Sequence, residues 1–98
     1  MDHLQSESIQ QLFEAILRLE TVEECKNFFA DVCTIKEIKD MAQRLEVAIL
    51  LENNVNYTDI SARTKVSSAT IGRVSRCVQY GNGGYRQAIA KMNDKKDS

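Results

Sequence analysis

Hydroxyl and cationic side chains between residues 63 and 76 are the part of this sequence best suited to binding another molecule. Guanidinium and ammonium groups bind phosphate oxygens, and short side chains at the start of a helix can reach base edges in a DNA groove. The first backbone N–H groups of a helix also attract anions. Contacts with double-stranded DNA are therefore predicted for Arg63, Lys65, Ser67, Ser68, Ala69, Thr70, Arg73 and Arg76.

Residues 57–78 have the apolar spacing of a helix-turn-helix, which would position these side chains. Thr58 is the predicted cap of the first helix and Ser67 the predicted cap of the second, because a hydroxyl oxygen can accept a hydrogen bond from an unpaired N–H of the first turn. The apolar positions that would pack the two helices together are Ile60, Val66, Ile71 and Val74.

Lys65 departs from the usual motif, and Gly72 carries a separate helix-propensity cost. Lys65 stands where the turn ordinarily has glycine, and a left-handed backbone there costs it on the order of 1 kcal/mol. A contact with phosphate would offset that cost. Gly72 costs the second helix roughly 1 kcal/mol relative to Ala. A close approach to DNA or to a partner helix would justify this glycine, and a tolerated defect is the alternative.

The charge distribution favours a DNA-binding surface in the second half of the chain. The net charge is −1, but residues 1–52 hold five basic and eleven acidic residues, whereas residues 53–98 hold eight basic and three acidic ones. A field of this kind orients one face toward phosphate, although the acidic half also serves solubility.

Composition argues against catalysis, metal binding and membrane insertion. Cys25, Cys33 and Cys77 form no Cys-x-x-Cys pair, and His3 has no partner nearby in the sequence, so no zinc site is expected. The cysteines are expected to be small core residues in a reducing cytoplasm. No phosphate loop, nucleophile motif, signal peptide or membrane span is apparent. We therefore expect a cytoplasmic protein that is not an enzyme.

A single all-α domain over residues 1–98 is expected, because proline is absent and apolar residues recur at helical spacing. Capping boxes are predicted at Ser8, Thr21 and Thr34. The expected order is a tail 1–7, helices beginning at Ser8 and after Thr21, a longest helix over about 35–53 ended by Asn53–Asn56, the helix-turn-helix 57–78, a glycine-rich break 80–84, a sixth helix 85–92 and a tail 93–98.

The first helix is strongly amphipathic, with its apolar stripe formed by Ile9, Leu12, Phe13, Ile16, Leu17 and Leu19. Such a stripe must be buried against something. An intramolecular core and a second copy of the chain are equally consistent with the pattern.

The run 40–47, followed by the helix-turn-helix with Ser68–Ile71 and Arg73, resembles the tryptophan repressor family. The likeness covers about residues 8–92 and is greatest to the small Trp-repressor-like proteins of the YerC/YecD type. It implies a six-helix, all-α fold in which two chains interlace as a homodimer. The two recognition helices of such a dimer would lie roughly one DNA turn, ~34 Å, apart and read a palindromic operator.

The resemblance also implies a corepressor pocket. The positions that match the residues holding tryptophan in the repressor are Thr34, Arg44 and Arg73. Val74 replaces a glycine that leaves room for the indole, and Cys77 replaces a serine. Tryptophan is therefore not expected to bind, and Val74 is expected to fill the pocket and hold the recognition helix in its active orientation.

Other interactions of Arg44 and Arg73 are also consistent with the sequence. A planar guanidinium suits a carboxylate, so a smaller carboxylate ligand is one reading. Ion pairs with Asp40 or Glu46, or contacts with phosphate, are the others.

The sequence thus predicts a sequence-specific transcriptional regulator, a repressor acting as a homodimer on a two-fold operator. The alternative is a helix-turn-helix dimer that binds another protein. Salt dependence distinguishes the two, because DNA binding weakens steeply as salt is added.

Overall fold

The computed structural model describes residues 6–97, with their side chains as far as Asp94, and this part of the chain forms six helices and no strand. The all-α prediction is confirmed. The helices are α1 (Glu7–Leu17), α2 (Val22–Val32), α3 (Ile35–Glu52), α4 (Tyr57–Thr64), α5 (Ser68–Tyr80) and α6 (Gly84–Asp97).

The chain divides into two compact units, Met1–Ile38 and Lys39–Ser98. The first contains α1 and α2, neither of which has a buried residue in the single chain. Phe28 and Phe29 of α2 meet edge to face with ring centroids 5.4 Å apart. The single domain over 1–98 stays a prediction.

The second unit has a continuous hydrophobic core, to which α3, α4, α5, α6 and the turn between α4 and α5 all contribute. The four apolar positions predicted for the helix-turn-helix are all buried in it, so that prediction is confirmed. Burial of such aliphatic side chains is the main term that stabilises packed helices. The core residues are Val47, Ala48, Ile60, Val66, Ile71, Val74, Val78 and Ile89.

The predicted capping box at Thr34 is present, and Thr21 caps α2 as predicted, although the side chain of Glu24 accepts from Glu20 N rather than from Thr21 N. Thr21 Oγ1 accepts a hydrogen bond from the backbone N–H of Glu24 at 3.0 Å. At the start of α3 the exchange is reciprocal: Glu37 N donates to Thr34 Oγ1 at 3.1 Å, and Thr34 N donates to Glu37 Oε1 at 2.8 Å. These bonds satisfy backbone donors that the first turn of a helix leaves unpaired.

Two predicted caps are wrong, each by two residues. Ser6, not Ser8, caps α1 through a 3.2 Å bond from Ile9 N to its hydroxyl oxygen. Asn56, not Thr58, caps α4, since its Oδ1 accepts from Asp59 N at 2.9 Å. A cap must have extended backbone and a side-chain oxygen three residues before the donor it satisfies. Asn56 meets both conditions, although its residue type was predicted only to end α3.

The two non-glycine residues that have a left-handed backbone in the described part of the chain lie in the two turns where this conformation was predicted. Asn54 has φ 63° just after α3, and asparagine tolerates this conformation. Lys65, at the C-terminal cap of α4, has φ 66° and ψ 17°, and its N–H donates to Ser61 O at 2.8 Å. Lysine occupies the position that would favour glycine.

The tail predicted over residues 93–98 is wrong for 93–97, which continue α6. Neither glycine nor proline occurs after Gly84, so nothing in the sequence ends the helix. Of the tail predicted over 1–7, Ser6 and Glu7 belong to the cap and start of α1, whereas residues 1–5 and Ser98 lie outside the described part of the chain.

Replacing Lys65 by glycine is expected to stabilise the protein. Glycine removes left-handed strain of about 1 kcal/mol but adds entropy to the unfolded chain, so we expect a net gain of roughly 0.5 kcal/mol. The midpoint of urea denaturation measures it. Lys65→Ala keeps the strain and is the control. If both variants stabilise equally, charge rather than backbone strain is responsible.

Candidate nucleic-acid interface

Hydroxyl groups hold the turn between α4 and α5 in place. Ser61 Oγ donates to Val66 O at 2.8 Å, and Thr64 Oγ1 donates to Ile60 O at 2.7 Å. The N–H of Val66 donates back to Thr64 Oγ1 at 3.3 Å. Neither hydroxyl residue was predicted to have a role. Their signal was two hydroxyls within the last turn of a helix, where side chains of this type bond to nearby backbone.

Gln43 adds a connection from α3 that local sequence does not reveal. Its side-chain amide donates to the carbonyl oxygen of Thr64 at 3.2 Å, across a separation of 21 residues. This carbonyl belongs to the last turn of α4, where intrahelical donors are missing. The bond therefore ties the end of α4 to α3.

Ser67 caps α5 as predicted. Its Oγ accepts from Thr70 N at 3.3 Å and lies 3.2 Å from Thr70 Oγ1. The first turn of α5 contains no acidic residue, so the positive end of the helix dipole is not neutralised there by a carboxylate of that turn. Ser68 and Ala69 follow the cap and are exposed.

The outward face of α5 is cationic. Ile71, Val74, Ser75 and Val78 form its buried side. At 3.6 residues per turn, Arg73 and Arg76 lie on the opposite side, and both are exposed. Arg63 in the last turn of α4 and Lys65 in the turn are exposed too.

The eight predicted DNA-contacting residues therefore occupy one continuous segment, from the end of α4 into α5. Seven of them are exposed and Thr70 is half-buried. Their contacts with DNA stay predictions.

Arg44 and Arg73 both line a cavity of about 450 Å³ in the second unit. Arg44 comes from α3 and Arg73 from α5, and both line one opening together with Asp40. The complete lining is Asp40, Gln43, Arg44, Thr70, Arg73, Val74, Cys77 and Tyr85. Of these, Gln43 and Tyr85 were not predicted site residues.

Val74 forms part of the wall of this cavity and also belongs to the core, with only 2% of its surface exposed. Its side chain packs with the apolar residues of the second unit. Cys77, one turn further along, is exposed, so the prediction of a core cysteine is wrong at this position. It lies three residues after Val74, on the side of α5 that faces the cavity rather than the core. Cys25 and Cys33 are half-buried.

Thr34 lies in the first unit, where its hydroxyl and N–H form the capping box of α3. Its predicted contact with a ligand stays a prediction.

A larger cavity of about 700 Å³ lies between the end of α3 and α6. Ile49, Ile89 and Met92 contribute apolar surface to it. An ion pair lies at the same place, with Arg86 Nε 2.8 Å from Glu52 Oε1. None of the predicted site residues lines this cavity.

Among the side chains of residues 6–94, no group of three His, Cys, Asp or Glu has an arrangement that would hold a metal ion. His3 falls outside that range. The described helices also include none with the length and apolar character that crossing a bilayer requires.

Comparison with known proteins confirms the resemblance inferred from the sequence. Residues 7–93 match the family described as "Trp repressor protein". The chain is 46% identical over 94 residues to YerC, an uncharacterized protein of Bacillus subtilis strain 168, and the match covers 96% of this chain and 90% of YerC.

Solved structures give the same result. A TrpR-like protein from Eubacterium eligens ATCC 27750 matches with a TM-score of 0.91 and 43% identity, over 95% of this chain and 96% of that one. A candidate Trp repressor from Staphylococcus aureus matches with a TM-score of 0.89 and 41% identity, over 94% and 92% of the two chains.

Proposed function

The chain belongs to the Trp repressor family, and on that basis we propose that it is a cytoplasmic, sequence-specific transcriptional repressor that acts as a homodimer on a two-fold operator. Family membership indicates a DNA-binding regulator. The repressor activity, the dimer and the operator are the parts that the proposal adds.

The observation that carries the proposal is the exposed cationic face of α5 beside a rigid turn. Arg73 and Arg76 project from the side of α5 opposite its buried residues. Lys65 is exposed in a turn fixed by backbone and hydroxyl hydrogen bonds. Cations held on a rigid helix pair have the geometry with which a helix-turn-helix contacts phosphates and bases.

Exposed apolar side chains on α1 support the homodimer. In the single chain Leu17 is 82% exposed, Phe13 46% and Leu12 38%. Grouped apolar surface of this kind marks a protein interface. Association would also enlarge the hydrophobic core of a chain of only 98 residues, because a small domain buries a small fraction of its surface when it folds alone.

Burial of Val74 supports repression that does not require tryptophan. Its branched side chain is already packed in the core at the wall of the cavity. An indole in that space would have to displace it, and close-packed interiors resist such displacement.

A regulator gated by a small carboxylate is the second candidate. Its support is the pair Arg44 and Arg73 lining one cavity, since guanidinium groups bind carboxylates in a planar fork.

Selection of bound duplexes from a random pool tests DNA recognition. We expect a two-fold motif to be enriched without any added ligand. If four cations per protomer contact phosphate, the affinity of the dimer should fall on the order of 10⁴-fold between about 50 mM and about 200 mM salt. Failure to enrich any sequence at low salt would exclude specific DNA binding.

Two arginine variants provide a matched comparison in the same assay. Arg76→Ala should reduce the slope of log affinity against log salt concentration by the contribution of about one phosphate contact per protomer. Arg86→Ala removes the same charge from α6, where the guanidinium is bound to Glu52, and should leave the salt dependence unchanged. Equal effects of the two variants would indicate a non-local charge effect.

Sedimentation tests the homodimer. A species of twice the 11.1 kDa chain mass is expected at micromolar concentration. Leu17→Glu places a charge in the apolar face of α1 and should shift the protein toward monomer, because an unpaired charge is costly to bury. Gln10→Glu adds the same charge at another exposed position of α1 and should not. A folded wild-type monomer would refute this part of the proposal.

Thermal unfolding with tryptophan tests the role of Val74. A ligand at one hundred times its Kd would stabilise the folded protein by about 2.7 kcal/mol, and we expect no such shift in the wild type. Val74→Ala should lower the free energy of unfolding by about 2 kcal/mol through lost packing. Cys77→Ala changes an exposed residue of the same cavity and should cost less than about 0.5 kcal/mol. A rise in Tm of the wild type with tryptophan would contradict the expectation.

A further inference from the structure

Gly72 lies in the interior of α5, the helix proposed to read DNA. Glycine is a poor residue for this position, because it loses more backbone entropy in a helix than any other residue. A compensating reason must exist unless the defect is merely tolerated.

The fold itself does not require glycine at position 72. A Cβ added there would meet no heavy atom of this chain within 4 Å. At Gly81, by contrast, a Cβ would lie 2.4 Å from the carbonyl oxygen of Cys77, and Gly83 has φ +82°. Those two positions need glycine for steric and conformational reasons that Gly72 lacks. Contacts within the described chain therefore do not explain Gly72, which leaves a bound molecule as the source of any steric requirement there.

The position of Gly72 on α5 points to the molecule concerned. One residue after the buried Ile71, it is rotated by about 100° from that residue, at the edge of the outward face. Its neighbours one turn away, Ser68 and Arg76, are both exposed. Side chains of a helix lean toward its N-terminus, so a side chain at 72 would cover Ser68 and Ala69. With glycine at position 72, Ser68 and Ala69 in the first turn are not covered by a side chain from that position.

We propose that Gly72 is a clearance position, which lets the first turn of α5 enter the DNA groove closely enough for Ser68 and Ala69 to touch base edges. This inference rests on the proposed function. The N-terminal residues of a recognition helix make the base contacts, a serine hydroxyl bonding to any base and an alanine methyl packing on thymine. A side chain at position 72 would hold the helix away from the base edges while phosphates remained within reach of the arginines.

DNA is favoured over a partner helix because the surface around Gly72 is polar and cationic. Arg76 is adjacent, Arg73 lies on the same outward side, and the first turn of α5 has no acidic residue. Along α5, no exposed large apolar side chain lies within one turn of Gly72; Tyr80, the one on α5, is at the far end of that helix, and the others among the described residues are on other helices.

Gly72→Ala and Gly72→Leu test the inference, with affinity measured for the selected operator and for a scrambled duplex of equal length. Tm should rise by about 4 °C, because both residues are better helix formers. Operator affinity should fall about tenfold for Ala and about 100-fold for Leu, as base contacts are lost. Scrambled-duplex affinity should change less than about threefold, because it depends on phosphates.

Gly84→Ala is the matched control. It makes the same chemical change at an equally open position, at the start of α6, where an added Cβ also meets nothing within 4 Å. Both duplex affinities should be unchanged.

Three results would overturn the inference. Operator binding by Gly72→Leu as tight as that of the wild type would show that nothing approaches this position. A lower Tm or loss of the dimer in Gly72→Ala would show that the glycine serves the fold or the partner protomer. A wild type that enriches no operator refutes the proposed function itself, and this is seen before any variant is compared.

Discussion

The packing of the inner side of α5 into the core of residues 39–98 is the interaction on which the candidate site depends. Ile71, Val74 and Val78 share that core with residues of α3, α4 and α6. Because the inner side is fixed by close packing, the orientation of the outer side is fixed as well. Arg73 and Arg76 are directed outward because the buried residues of α5 are held in the core. A loss of packing at Val74 would therefore act on the outer surface without altering any residue there.

A second constraint keeps the turn before α5 rigid without glycine. Lys65 adopts a left-handed backbone, and side chains of α3 and α4 compensate by bonding to the surrounding backbone. Gln43 holds the carbonyl of Thr64, and Ser61 holds that of Val66. Buried polar groups of this kind stabilise only when they are paired, and no buried side-chain N or O atom of the described residues lacks a partner. The turn is thus set by several weak bonds rather than by one special residue.

Sequence reasoning succeeded where the determinants are local. Helical periodicity predicted six helices, and hydroxyl spacing predicted the caps at Thr21, Thr34 and Ser67. It failed where two local signals compete. Asn56 was assigned to ending one helix and in fact begins the next. The end of α6 was placed too early because polar composition was interpreted as a tail, although polar residues without glycine or proline are compatible with a helix.

The candidate site shows the same division. The exposed cations between residues 63 and 76 follow from composition and periodicity alone. The lining of the cavity could not be predicted in this way, because Gln43 and Tyr85 belong to helices other than α5. The exposure of Cys77 also escaped prediction, since a small apolar residue near a buried stripe is usually buried. Whether Cys77 is buried or exposed depends on how α5 is oriented against the neighbouring helices.

The capping of α5 by Ser67 has a consequence for how such proteins diversify. The cap satisfies the backbone of the first turn, and the core residues hold the helix, so the exposed positions 68, 69, 73 and 76 do not contribute to the core. Substitutions on a surface of this kind usually change stability little. A lineage can therefore exchange these side chains and acquire a new target sequence while the scaffold stays intact.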